Sequence, residues 1–90
     1  MKQVDVTIPN RAGLHARPAT KIVQIASVYP CETQLCYKGE IANAKSIMGI
    51  IALGITYNET VTLITNGPQE EEAMEKLVQL FQQGFHDDQA

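Results

Sequence analysis

One short run of the chain, Gly13-Leu14-His15-Ala16-Arg17-Pro18-Ala19, combines residue types that could perform chemistry at a point where a loop becomes a helix. Proline is tolerated in a helix only in the first turn, where its missing N–H would have had no partner, so Pro18 places His15 at or next to the N-cap. The amides of Ala16 and Arg17 would then point out of the helix end beside the imidazole. Backbone amides, a positive helix end and a guanidinium together predict an anion site, with phosphate as the obvious ligand.

The positive helix end also bears on the reactivity of His15. It disfavours an imidazolium, and therefore favours a neutral, nucleophilic ring nitrogen at pH 7. A nucleophilic nitrogen inside an anion site is suited to forming a phosphohistidine. An isolated histidine in a helix-entry loop is more often an ordinary surface residue, and an isolated Arg17 would more often be a solvated charge. We favour the functional interpretation because the glycine, histidine, arginine and proline of this run have mutually consistent roles.

Composition and length exclude several classes of protein. The 90 residues predict one compact domain, 1–90, and the 44% apolar content is too high for a disordered segment. The longest apolar run, Ile50–Leu53, is too short to cross a membrane, and the first five residues lack the apolar stretch of a secretion signal. Seven basic against ten acidic residues give no electrostatic footprint for nucleic acid. We therefore expect a cytoplasmic protein that binds neither nucleic acid nor membrane.

Two cysteines, Cys31 and Cys36, lie in a segment that reads as a strand. A separation of five residues places them on opposite faces and about 16 Å apart. A disulfide needs Cα atoms within about 7 Å, so these two residues are not expected to pair. Neither His15 nor His86 lies at a metal-ligand spacing from them, so we predict reduced thiols, no metal site and no cofactor.

Hydropathy periodicity predicts the secondary structure. Alternating apolar and polar residues indicate strands with one buried face, and apolar residues spaced three and four apart indicate amphipathic helices. The first predicted elements are a strand over Val4–Ile8, a helix over 16–28 ended by Pro30, and strands over Glu32–Tyr37 and Glu40–Asn43 around a Lys38-Gly39 turn. They are followed by a helix over 47–53 capped by Ser46 and closed by Gly54, and by a strand over Thr60–Leu63 stopped by Asn66-Gly67. The last element is a helix with Pro68 in its first turn and Gly84 as its stop.

This order, β-α-β-β-α-β-α, predicts an α+β fold. Three helices with several one-sided strands indicate an open-faced β-sandwich, a four-stranded antiparallel sheet covered on one face by three helices. The uncovered face of the sheet would present Asp5, Thr7, Thr60 and Thr62 to water.

Two motifs make the chain similar to a known family. The run Gly13–Ala19 resembles the active-site signature of the HPr family, the small histidine phosphocarriers of the bacterial phosphotransferase system. A second stretch, Ala44-Lys45-Ser46-Ile47-Met48-Gly49, resembles the family's regulatory serine motif, and the similarity covers nearly the whole chain. The segment Gly67–Ala73 and the Gly84-Phe85 ending look more like the nitrogen-related branch, NPr. The serine motif favours the sugar branch and the C-terminal segment the nitrogen-related branch.

The resemblance implies a function and partners. Enzyme I would donate a phosphoryl group to His15, and an enzyme IIA domain would receive it. Arg17 would stabilise charge on the moving group, helped by the Ala16 and Arg17 amides. The protein would then be a stoichiometric carrier, expected as a monomer, whose catalytic machinery is shared with its partners.

Ser46 supports two interpretations. A serine at a helix N-cap stabilises a protein by about 1 kcal/mol without any further role. The resemblance adds phosphorylation by an HPr kinase/phosphorylase, and it implies an apolar docking patch beside His15 formed by Ile47, Met48 and Ile51. Some of these three side chains could equally face the sheet as ordinary core.

Two other classes of function compete with the carrier. A regulatory binding protein on the same fold would act through Ser46 without phosphoryl transfer, but it would have no need of a nucleophile at His15 or of Arg17. A nucleic-acid-binding domain would use the open sheet face, which lacks stacking aromatic residues and a basic groove.

Overall fold

A computed structural model describes residues 1–86, and the strands of this part of the chain form one antiparallel sheet. The predicted order of elements and the α+β fold class are confirmed. The elements are β1 (Lys2–Thr7), α1 (Ala16–Ala26), β2 (Glu32–Tyr37), β3 (Glu40–Asn43), α2 (Ile47–Ala52), β4 (Thr60–Asn66), α3 (Glu70–Gln82) and a 3₁₀ turn (Gly84–His86).

The sheet has the strand order β1-β4-β2-β3, so the last strand in sequence lies between the first and the second. Leu63 of β4 is opposite Val4 of β1 and opposite Leu35 of β2, which puts these three side chains in one row. Because side chains alternate along a strand, this row faces the helices and its neighbours face away. The central strand therefore supplies the middle of the core.

The helices form a layer over the inner face of the sheet. α3 packs on β1 and β4, and α1 packs against both α2 and α3. The largest fully buried apolar side chains come from every part of this layer and from the sheet beneath it: Ile8, Ile22, Leu35, Ile50, Val61, Leu63, Leu77 and Phe85.

The outer face of the sheet is open, as predicted. Asp5, Thr7 and Thr60 are exposed, while Thr62 is half-buried. The Thr62 hydroxyl donates a hydrogen bond to the Asp5 carboxylate at 2.7 Å, which links β4 to β1 across this face. Ile41 of β3 also lies here with 62% of its surface exposed.

Several predicted boundaries were wrong by a few residues. β1 begins at Lys2, and α1 ends at Ala26 rather than at residue 28. β4 continues past Leu63 to Asn66 because Thr65 points inward, where its hydroxyl donates to the Glu70 carbonyl at 2.9 Å. A buried threonine broke the apolar alternation on which the shorter prediction was based.

The start of α3 differs from the prediction for a reason in the backbone. Pro68 lies before the helix and not in its first turn, which begins at Glu70. Gly67 (φ +126°) and Gln69 (φ +63°) both have non-helical conformations, and the Gly67 N–H donates to the Glu70 carboxylate at 2.9 Å. The chain therefore makes a tight turn before it becomes helical.

The hairpin turn agrees with its prediction, and the two cysteines are unpaired. Cys31 is buried just before β2, Cys36 is half-buried within it, and both thiols are free. Lys38 (φ +48°) and Gly39 (φ +82°) connect β2 to β3, and positive φ at both central residues is typical of a type I′ hairpin turn.

Candidate functional site

His15 is the N-cap residue of α1. Its backbone is extended (φ −87°, ψ −164°), its side chain makes no capping hydrogen bond, and it is exposed to solvent. The first backbone bond at this end runs from the Ala19 N–H to the His15 carbonyl at 3.0 Å. The imidazole is therefore exposed at the helix entrance and is not used to cap the helix.

Ala16 and Arg17 form the first turn of α1 beside His15, and both are exposed. Pro18, the third residue of the helix, is buried and has no N–H to offer. The structure thus brings together the three site residues that the sequence predicted at this helix entrance. His15 and Arg17 therefore both lie at the positive end of an eleven-residue helix.

Gly13 sets the position of the loop that leads to His15. Its φ is +75°, and a Cβ there would lie 2.6 Å from the carbonyl oxygen of Ile55. The next residue, Leu14, is buried and donates its N–H to the same carbonyl at 3.1 Å. Only glycine allows the loop to approach the backbone of residues 55–56 so closely.

Ser46 is the N-cap of α2, as predicted. Its hydroxyl oxygen accepts a hydrogen bond from the Gly49 N–H at 3.0 Å, and its carbonyl accepts one from the Ile50 N–H at 3.1 Å. The loop of His15 contacts Ile55, beyond the far end of α2. The six residues of α2, about 9 Å in length, therefore lie in the chain between Ser46 and Ile55, the residue that the histidine loop contacts.

The three predicted docking residues differ in exposure. Ile47 is 36% and Met48 is 73% exposed at the start of α2, whereas Ile51 is half-buried and packs against the core. Ile50 is the residue of this helix that is fully buried. An apolar surface therefore exists next to Ser46, with Ile51 at its inner edge.

Comparison with known proteins decides the family. A family model described as the PTS HPr component phosphorylation site matches residues 2–83. The chain belongs to the HPr phosphocarrier family of the phosphotransferase system.

Individual HPr proteins match over nearly their full length. The phosphocarrier protein HPr of Cupriavidus necator is 42% identical over 85 residues, which cover 94% of this chain and 96% of that protein. The crystal structure of HPr-C-His from Thermoanaerobacter tengcongensis superimposes with a TM-score of 0.93 at 42% identity, covering 98% and 99% of the two chains. Bacillus subtilis Crh, a catabolite repression protein crystallised as a domain-swapped dimer, gives 0.75 at 40% identity, with 93% and 97% covered.

The C-terminal turn of this HPr-family chain contacts the loop before α1 and α1 itself, which the sequence motifs did not reveal. Asn10 is 4% exposed, and its side-chain amide donates to the Gly84 carbonyl at 3.4 Å. The Lys21 ammonium of α1 donates to the Phe85 carbonyl. Phe85 is buried, with its ring centroid 4.7 Å from that of Phe81 in an edge-to-face contact. Gly84 is therefore more than a helix stop, because the turn it opens holds the loop and the helix around His15.

A second unpredicted feature is a cluster of hydrogen bonds on Glu59. One carboxylate oxygen accepts from the Tyr37 hydroxyl at 2.5 Å and from the Thr56 hydroxyl and N–H at 2.7 and 2.8 Å. The other oxygen lies 3.5 Å from the Lys38 ammonium. These donors favour the charged carboxylate, Tyr37 most of all, and lower the pKa of Glu59 from its usual 4.5 to about 2.

Among residues 1–86 there is no group of three or more histidine, cysteine or acidic side chains arranged to hold a metal ion. Within the same residues, no helix combines the length and the apolar character needed to cross a membrane.

Proposed function

We propose that this HPr-family chain accepts a phosphoryl group from phospho-enzyme I on His15 and passes it to an enzyme IIA domain. The observation that carries the proposal is the exposed imidazole of His15, which occupies the N-cap of α1 without capping it, next to Arg17. The relatives named phosphocarrier protein HPr support the same activity. We propose further that the chain acts as a cytoplasmic monomer, although Crh shows that the fold also forms swapped dimers.

On the side of this chain, the chemistry would use groups at the entrance of α1. A ring nitrogen of His15 attacks the phosphorus carried by the donor, a nitrogen–phosphorus bond forms, and the bond from phosphorus to the donor breaks. Negative charge on the equatorial oxygens is greatest while the group moves. The Arg17 guanidinium and the positive end of α1 would stabilise that charge, and the reverse steps deliver the group to the acceptor.

We propose a regulatory role for Ser46 through phosphorylation by an HPr kinase/phosphorylase. Support comes from the position of its hydroxyl at the start of α2, directly before Ile47 and the exposed Met48. A phosphate adds about −1.5 to −2 charges. That charge would oppose the docking of an apolar partner surface while remaining compatible with the helix end.

A regulatory binding protein without phosphoryl transfer is the second candidate. The similarity to Crh, which is named for catabolite repression, is the observation that favours it. Such a protein would act through Ser46 and the exposed side chains of α2 alone. The presence of both His15 and Arg17 at the entrance of α1 supports the carrier over this candidate.

Incubation with enzyme I and labelled phosphoenolpyruvate, followed by addition of an enzyme IIA domain, separates the two functions. A carrier takes up acid-labile label and loses it to the acceptor. A folded chain that takes up no label under conditions in which another HPr is fully phosphorylated would support the binding protein instead.

A further inference from the structure

The loop between α2 and β4 is fixed by one carboxylate. Glu59 joins its own loop to the β2–β3 hairpin, because one of its oxygens accepts from both Thr56 and Tyr37 and the other lies near Lys38. The Glu59 N–H also donates to the Thr56 carbonyl at 3.3 Å, which closes the turn. The Glu59 side chain is 27% exposed, so its carboxylate is partly shielded from water, where charge-assisted hydrogen bonds are strong.

The same loop is the support on which the histidine loop rests. At one end, the Ile8 N–H donates to the Glu59 carbonyl at 2.9 Å and the Asn58 N–H donates to the Ile8 carbonyl at 3.0 Å. At the other end, the Leu14 N–H donates to the Ile55 carbonyl at 3.1 Å. Residues 8 and 14 bracket the segment that leads to the N-cap of α1, so both ends of that segment are bonded to the loop that Glu59 fixes.

We infer that Glu59 is a positioning residue for phosphoryl transfer. It holds Thr56, and with it the Ile55 carbonyl, in the place where Gly13 and Leu14 are seated, and thereby sets where His15 meets the donor. This inference rests on the proposed function, since it assigns to Glu59 a role in the reaction of His15. Glu59 itself touches no reacting atom.

The size of the effect follows from the tolerance of transfer reactions to misplacement. Displacing a reacting group by about 1 Å can cost about 10²-fold in rate. Loss of the Glu59 carboxylate from a loop that keeps its backbone–backbone hydrogen bonds should move His15 by less than that. We therefore expect a reduction of about 3- to 10-fold in the rate of transfer.

Glu59→Ala and Glu59→Gln form an informative pair. Alanine removes every contact of the carboxylate. Glutamine retains one side-chain oxygen, and in this structure a single oxygen, Oε1, accepts all three hydrogen bonds from Tyr37 and Thr56. Glutamine should therefore keep these three hydrogen bonds without their charge, while its neutral amide loses the contact with Lys38. Glu75→Ala, an exposed glutamate on α3, controls for the loss of one negative charge.

The experiment measures two quantities for each variant: kcat and KM for phosphorylation by enzyme I, and amide hydrogen exchange at Leu14. Glu59→Ala should lower kcat about 3- to 10-fold with little change in KM, and should speed Leu14 exchange more than exchange in the β2–β4 ladder. Glu75→Ala should match the wild type, and Glu59→Gln should recover most of the rate and of the exchange protection that Glu59→Ala loses.

Three results would overturn the inference: an unchanged kcat for Glu59→Ala, a Leu14 exchange rate that rises no more than that of the β2–β4 ladder, or a glutamine variant as impaired as alanine. Hydrogen exchange also separates this inference from the proposed function. If the wild type accepts no phosphate, the proposed function fails, and faster Leu14 exchange in Glu59→Ala alone would still show that the carboxylate holds the loop.

Discussion

At the scale of single residues, Arg17 lies in the first turn of α1, two residues after the N-cap residue His15. Arg17→Ala should slow transfer about 10²-fold while weakening binding to enzyme I much less, because charge on the phosphoryl group develops during the transfer. Arg17→Lys should recover only part of the rate, since an ammonium lacks the planar fork of donors. Single-turnover rates and affinities for both variants test this role, and wild-type rates in both would exclude it.

Gly13 provides a second test at this scale. Gly13→Ala should lower the free energy of unfolding by about 1–3 kcal/mol, because positive φ disfavours alanine and the new Cβ would lie 2.6 Å from the Ile55 carbonyl. It should also slow phosphorylation, since the loop before His15 must shift.

Gly39→Ala is the matched control for Gly13. Gly39 also has positive φ (+82°), but a Cβ there has no atom within 4 Å, so only the backbone cost applies. Denaturation midpoints and phosphorylation rates are compared for the two variants. Equal loss of stability, with normal phosphorylation in both, would contradict the close approach assigned to Gly13.

The sequence predicted residues whose roles depend on local backbone, and it missed those that depend on long-range contacts. His15 and Pro18 are assigned by helix-entry rules that need only their neighbours in the chain. The Glu59 cluster joins Tyr37 across 22 positions, and Asn10 meets Gly84 across 74. No periodicity in the chain signals such contacts, because they arise only when the sheet brings the segments together.

At the scale of elements, α2 begins at the N-cap Ser46 and exposes Met48 in its first turn, so a charge at position 46 should affect partner binding more than stability. Ser46→Asp should retain stability, because aspartate caps a helix as well as serine does. It should bind enzyme I more weakly, because the added carboxylate must be desolvated against the partner. The loss of affinity should be smaller than that caused by a phosphate, since a carboxylate carries about half the charge. Thermal stability and enzyme I affinity are measured at fixed salt.

Ser46→Ala is the complementary variant. It removes the bond from the Gly49 N–H and should cost about 1 kcal/mol of stability with normal affinity for enzyme I. Equal affinity for the wild type and Ser46→Asp would leave Ser46 with a capping role alone.

The elements themselves were predictable in type and order, but their ends were less so. Period-two and helical patterns identify a strand or helix from the side chains that face the core. The start of α3 depended on backbone torsions at Gly67 and Gln69, and the end of β4 on the inward-facing Thr65. The strand order β1-β4-β2-β3 also lay beyond local patterns, since it is fixed by pairing between distant segments.

At the scale of the whole molecule, stability should depend on the ionisation of Glu59. Its pKa is about 2 in the folded state against an ordinary 4.5, so the unfolded chain binds more protons between these values and folding stability rises with pH. The contribution is complete above about pH 4.5 and is lost as the pH falls towards 2. Glu59→Gln should show a shallower dependence in this window, measured by urea unfolding at a series of pH values. An unchanged slope would show that the contacts of the Glu59 carboxylate with Tyr37, Thr56 and Lys38 do not stabilise the folded state.

The most direct test of the account compares the wild type with His15→Ala after incubation with enzyme I and labelled phosphoenolpyruvate. Phosphoryl transfer through His15 predicts acid-labile label on the wild type, located at residue 15 and transferable to an enzyme IIA domain. It predicts none on His15→Ala, whose melting temperature should be unchanged because the side chain is exposed at a helix entrance. Acid-labile label on the variant, or an unlabelled wild type beside an active control HPr, would contradict it.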